Sequence, residues 1–450
     1  MGTAERITGE DAIFLRFERP DTPTHTLKIA VLDPALHGAQ ITLEDLHALL
    51  PAHLGLSPRA TQRVGRMPGR RAWAWVEDED FDLANHLEEV TAPAPGDRAA
   101  LDQVCGEVLV RQLDRRHPLW AMTLVHGLAG GRQAVVIRIH HAISDGKASI
   151  NLLNAATSAT RGGPRYVPEP AGDHDPGDGR GRFAAFRRTA RENRARLREF
   201  GSVKDLPTLS RRTAFNARTG SERLCASTDL DFDDLREVAR GAGVSVNGAF
   251  HAVASGAMRR ELIARGEPVD RRLIAAFGVA ESKDPGRRHG NAFATSFSYL
   301  HADVEDPVER LHAAAENAAK AVRLRWATGF EYYRAGTEIQ QHVVPHLRAV
   351  FANITPIVGN QITLANVPGP TEHRWIGDVE VVDWISHSIA IAPSVVSLTG
   401  YSYAGRLSLG LTVAPQAVPD PVAFLGRFRE SLDELLALVR TRELQPLQES

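Results

Sequence analysis

Hydrophobic positions along this chain repeat with two periods, about 3.6 and about 2 residues, and the switches between them mark out helices and strands. Thr26-Leu27-Lys28-Ile29-Ala30-Val31-Leu32 and Trp73-Ala74-Trp75-Val76 read as strands. Val135-Val136-Ile137-Arg138-Ile139 is too short and too β-branched for a helix, and Gly130-Gly131 and Asp145-Gly146 bound it as a central strand. Caps announce the helices. Thr42 with Asp45 three residues on opens one that Pro51 is expected to stop, and Asp97 opens one with Leu101, Cys105, Val108 and Leu109 on a single stripe. Ile150, Leu153 and Ala156 form a stripe behind the glycine turn, while Asp231, Ser245 and Asp306-Pro307 start three more helices. Phe424, Phe428, Leu432, Leu435 and Val439 in register predict a closing helix. Each half alternates helices with strands and carries a late strand-rich stretch, as expected of an α/β fold.

Length then sets the number of cores. A chain of 450 residues exceeds one ordinary core, and two domains are expected. The composition shifts to Gly, Pro and Asp from Arg161 to about Asp178, so we divide the chain into residues 1–160, a crossover at 161–205, and residues 206–450. With 43% hydrophobic and 24% charged residues the chain has the composition of a soluble globular protein. A formal net charge of -2 gives no general attraction to nucleic acid, so an anionic partner must be held by a local patch. Cys105 and Cys225 stand in no metal or redox motif, which favours a reduced, cytoplasmic setting. No leader and no run of about twenty apolar residues is present, so the chain is expected neither to cross a membrane nor to be exported.

The chemistry concentrates where the central strand ends, at His140-His141-Ala142-Ile143-Ser144-Asp145-Gly146. Side chains alternate across a strand, so the two histidines point to opposite faces and only one can line a given cleft. A neutral imidazole can take a proton from a hydroxyl or thiol and return it, which is what acyl transfer needs. Asp145 can fix the loop by a charge contact, and Gly146 permits a backbone conformation other residues resist. The same pair also reads as ordinary polar capping of a strand end. No metal site is expected, because adjacent strand histidines diverge and no third ligand stands at a familiar spacing. No Gly-x-Ser-x-Gly elbow supports a serine nucleophile, Ser144 included.

His-His-x-x-x-Asp-Gly resembles the signature of the chloramphenicol acetyltransferase-like superfamily. The surrounding segments are similar to those of its bacterial wax ester synthase/diacylglycerol acyltransferase family. These are Pro118-Leu119-Trp120, Asn366-Val367-Pro368-Gly369-Pro370, and the shorter matches Pro23-Thr24-His25, Phe215-Asn216, Ser245-Val246-Asn247, Gly290-Asn291 and Ser402-Tyr403-Ala404-Gly405. Order and distance agree over nearly the whole chain. The resemblance implies two α/β sandwiches of this superfamily facing each other across a central substrate channel, with donor and acceptor reaching the histidines from opposite mouths. It implies that His141 is the base and His140 positional, that Asp145 holds the loop and that Gly146 leaves room. Ser144, Pro118, Trp120, Asn366, Pro368 and Gly369 become candidate substrate-binding positions, and Asn247 a candidate for oxyanion stabilisation or for helix capping. The implied co-substrate is acyl-coenzyme A, with no bound cofactor, and the acceptor a fatty alcohol or diacylglycerol.

Three positions depart from the family pattern. Gly248 replaces an acid, Ala365 a serine, and Ala280 lies in an altered polar stretch. They keep open a carrier-protein-dependent or natural-product acyltransferase beside the favoured acyl-coenzyme A:alcohol O-acyltransferase, with a non-catalytic lipid-binding scaffold as the third reading. Arg180 to Arg198, interleaved with Phe183, Phe186, Leu197 and Phe200, also reads in two ways. It suits a helix lying on an anionic membrane or lipid-droplet surface, or a solvated crossover helix wrapped on the second domain.

Overall fold

The computed structural model describes residues 4–34, 40–69, 72–165, 167–169, 182–200, 206–207, 212–217, 220–343 and 359–441. Arg180 and much of the crossover lie outside them. Two six-stranded sheets make the frame. The first runs β12 (Arg374–Ile376), β13 (Val379–His387), β2 (His25–Leu32), β7 (Gln133–His140), β6 (Trp120–His126), β5 (Leu87–Thr91). The second runs β10 (Phe293–Tyr299), β9 (Ile274–Ala280), β11 (Ile362–Pro368), β14 (Val396–Tyr403), β15 (Arg406–Val413), β8 (Leu224–Asp231). A small third sheet, β1 (Glu5–Arg6), β4 (Trp73–Glu77), β3 (Gln62–Arg66), stands beside the first.

The first sheet is not built from the first half alone. β13 pairs antiparallel with β2, Ser386 facing Lys28 and Trp384 facing Ala30, so residues 374–387 cross out of the span 206–450 and complete the other layer. The expected boundary therefore divides the sequence but not the sheets. Local hydrophobicity cannot reveal such an exchange, because a strand reads alike whichever partner it joins.

Register gives the first sheet two distinct faces. Leu27, Ile29, Val31, Val125, Ala134, Val136 and Ile385 pack against α4 (Arg98–Val110), where Cys105 is buried as the stripe predicts. Ala30, Leu32, Leu124, Val135 and Trp384 look the other way, toward α5 (Gly146–Ala156) and Tyr401 and Tyr403 of the second sheet. The candidate site, built around His141, lies on this second face. Over the second sheet, α7 (Phe232–Gly241), α8 (Val246–Ala264) and α11 (Pro421–Arg440) bury Leu235, Phe250, Met258, Phe424 and Phe428 with Leu398 and Leu411.

Most predicted caps are formed. Thr42 and Asp45 make a reciprocal capping box on α2 (Leu43–Leu49), and Asp97, Asp231, Ser245 and Asp306 each accept a backbone N–H at a helix start. Pro51 differs from expectation. It opens a further turn, α3 (Pro51–Leu54), because proline's fixed φ and missing N–H suit a first helical position.

Two other helices tie the halves together. α1 (Gly9–Phe17) lies against α10 (Glu331–Val343): Glu338 accepts from Gly9 N at 2.7 Å and pairs with Arg6 at 2.9 Å. On the opposite flank, Arg98 of α4 bridges Asp229 and Asp383, at 2.6 Å each. The arginine-rich α6 (Arg182–Phe200) rests on α10 and on α9 (Pro307–Thr328), with Phe186 stacked on Tyr332 and Arg196 donating to Thr328 O. No helix among the described residues is long and apolar enough to cross a membrane.

Candidate active site

The paired histidines close β7 and diverge as strand geometry requires. His140 is fully buried. Ala142 N–H donates to its Nδ1 at 3.0 Å, so the ring proton is on Nε2, which faces Thr24 Oγ1 at 3.0 Å and Glu18 Oε1 at 3.5 Å. Thr24 donates onward to Phe14 O. Glu18 also meets His25 Nε2 at 3.1 Å and Arg115 at 2.7 Å. Burial pushes the Glu18 carboxyl up, but hydrogen bonds from His140, His25 and Arg115 overcome it and hold the group well below the usual carboxylate range. Burial also lowers His140 to about 4, so it sits here as a neutral, fixed strut.

His141 turns into the seam between the halves. Its ring stacks on Phe14 of α1, with centroids 4.1 Å apart and planes 18° apart, and Phe293 of β10 stands 6.0 Å away. Asn291 fixes its protonation. The Asn291 amide donates to Asp11 Oδ1 at 2.7 Å and to His141 O at 2.8 Å, which uses both amide hydrogens. Its Oδ1, 3.1 Å from His141 Nδ1, can therefore only accept. The ring proton must lie on Nδ1, and the lone pair on Nε2 takes no protein partner among the described residues. Burial lowers His141 to about 4 and raises Asp11 to about 6, the latter against its hydrogen bonds from Asn291.

The turn after the histidines is held from the other half. Asp145 caps α5 through Ala148 N at 2.8 Å, accepts from Ala292 N at 2.9 Å, and takes Arg287 Nη2 on both oxygens at 2.9 Å. Backbone bonds Asp145 N to Gly290 O and Gly290 N to Ile143 O close the same seam. Gly146 is the first residue of α5 and does not adopt the left-handed backbone its identity suggested. A Cβ there would meet Val367 Cγ2 at 3.6 Å, ordinary contact distance, so the small residue widens the seam rather than relieving strain.

The remaining candidates fall in four groups. Ser144 is buried, its hydroxyl bonded to Ser149 at 2.8 Å. Pro118 and Trp120 are packed below the motif, Trp120 stacking on His86 at 4.3 Å and donating to Ala60 O. Asn366 and Pro368 lie on β11 beside β14, and at Gly369 a Cβ would overlap Ser402 O and the Tyr401 ring. Asn247 stands elsewhere, in the first turn of α8, where its carbonyl accepts from His251 Nδ1; no hydrogen bond joins it to His141 among the described residues. Gly248 is explained by packing, since a Cβ would meet Ala315 Cβ of α9 at 2.9 Å. No group of three His, Cys, Asp or Glu side chains able to hold a metal ion occurs among the described residues.

Sequence reasoning gave no role to Asp11, Phe14, Glu18, Arg287 or Asn291. Gly290-Asn291 was visible as a matching pair, whereas nothing local distinguishes Arg287 from its neighbour Arg288.

Residues 7–250 match the wax ester synthase/diacylglycerol acyltransferase catalytic domain, and residues 289–436 match the C-terminal domain of the same family. A Mycobacterium tuberculosis protein assigned as a diacylglycerol O-acyltransferase is 30% identical over 97% of this chain and 98% of its own length. The wax ester synthase/diacylglycerol acyltransferase of Marinobacter aquaeolei VT8 superposes with a TM-score of 0.68 at 19% identity, over 97% of this chain and 100% of that one. A mutant starter condensation domain of rhizomide synthetase, in complex with C8-CoA, superposes with a TM-score of 0.61 at 15% identity, over 97% and 95%.

Proposed function

Because the chain belongs to the wax ester synthase/diacylglycerol acyltransferase family, we propose that this ester-forming O-acyltransferase joins a hydroxyl acceptor to the acyl group of an acyl-coenzyme A, with His141 as the base. The observation that carries the role is the Asn291 lock, which leaves the Nε2 lone pair of a buried neutral imidazole facing the seam. Nε2 takes the hydroxyl proton as the oxygen attacks the thioester carbonyl, and returns it to the sulfur as the tetrahedral intermediate collapses. While the ring carries both protons, Asn291 Oδ1 accepts from Nδ1–H, Asp11 orients that amide, and the Phe14 face covers the imidazolium. His140, Asp145 and Arg287 keep the loop in place. No acyl-enzyme is needed.

Free-thiol release from acyl-coenzyme A donors in the presence of fatty alcohols or diacylglycerol tests the reaction. Release that requires an acceptor supports it; none with any pair rejects it. The acid limb is a second test. Only neutral His141 accepts a proton, and burial sets its value at about 4, so kcat/KM holds its activity below pH 6.5 and falls steeply only near 4. Asp11, at about 6, adds a shallower step that D11N removes. Stability follows in sign: a histidine lowered in the fold favours unfolding once protonated, so its contribution is full above 6.5 and is lost as pH falls toward 4. A single limb at 6.5 in both wild type and D11N would contradict the assignment.

A further inference from the structure

On the face of the first sheet that looks into the seam, the residues of β2, β7 and β13 include one cation, Lys28. Lys28 lies on β2 between Thr26 and Ala30, opposite Ile137 on β7 and Ser386 on β13. Directly opposed residues share a face, and Ile137, Ile139 and His141 follow one another at two-residue steps. Lys28 is thus on the His141 side of the sheet, about 13 Å inward along β7 by strand rise. It is 5% exposed, and its ammonium donates to Ser386 Oγ at 2.6 Å. That is a neutral partner for one of three N–H donors. Asp145, the carboxylate that acts on it electrostatically, already serves Arg287, Ala148 N and Ala292 N. Burial lowers Lys28 to about 8, which leaves it mostly charged at neutral pH.

A sheet face that meets only hydrocarbon gains nothing from an ammonium and bears the cost of burying it. We infer that Lys28, with Ser386, is a specificity-determining site that receives a carboxylate carried by one of the two substrates. The inference rests on the ester-forming reading above and adds a substrate class to it: a hydroxy acid as acceptor, or a dicarboxylic half-thioester as donor.

Two arms separate the sources. With one long-chain acyl-coenzyme A, a 1-alkanol is compared with the ω-hydroxy fatty acid of equal length; with one alkanol, an acyl-coenzyme A is compared with its ω-carboxy counterpart. Wild type is expected to prefer the carboxylate in one arm, and Lys28→Met to lose about ten- to a hundredfold of that preference, the value of a charge-assisted hydrogen bond. No preference in either arm, the same preference in K28M, or an equal fall in kcat for every acceptor would overturn it. Should wild type release no thiol with any pair, the ester-forming reading fails, and thermal protection by dodecanoate relative to dodecanol decides the site by itself. Protection lost in K28M supports it, and its absence in wild type rejects it. K28M is expected to melt no lower than wild type, since it removes a buried charge; a lower melting point with unchanged preference would make Lys28 structural.

Discussion

His141→Gln lowers thiol release by about a hundred- to ten-thousandfold, the range for losing a positioned base, with the fold intact. The expectation rests on how the ring is held rather than on its identity alone. Glutamine still places a donor toward Asn291 Oδ1, so the Asp11–Asn291 contact and the Phe14 surface keep a partner of similar size. What vanishes is a lone pair able to take a proton near neutral pH. Circular dichroism and the melting temperature should match wild type, and turnover within tenfold of wild type would show that His141 is not the base.

Arg287→Ala should destabilise the fold by about 3 kcal/mol, because it strips one partner from a buried pair and leaves the other charged. Arg287 and Asp145 side chains are 15% and 6% exposed, so water screens little of the contact. The same guanidinium donates to Gly290 O at 2.8 Å and thereby fixes the segment that carries Asn291. Turnover should drop with stability as the lock on His141 loosens. Denaturant unfolding of R287A, D145N and the double variant measures the pair, since coupled residues fall short of additivity. A loss below about 1 kcal/mol for R287A would show that the seam is held by backbone bonds instead.

The strand ending in the histidines, the caps at Asp97, Asp231 and Asp306, and the closing helix were all legible because each depends on neighbours within a few residues. Asn291 and Arg287 were not, because they reach the motif from about 150 positions away, and which side chains meet is settled by sheet packing rather than by propensity. Lys28 is instructive in the opposite sense. A lysine alternating with Leu27 and Ile29 is ordinary on the solvent side of a half-buried sheet. The structure buries every residue of that strand because a second layer covers the polar face. Gly146 was expected for its backbone freedom, yet it starts a regular helix, where only the absent side chain matters.

The exchange of β13 also bears on how the protein is made. While the chain leaves the ribosome, β7 is available to β2 early, but its other neighbour is the distant segment Val379–His387. Until that segment emerges, Leu27, Ile29 and Val31 sit on an open edge, the kind of strand that recruits partners from other chains. Synthesis must therefore pass His387 before the first sheet is complete, and the nascent first lobe carries an exposed strand edge until then.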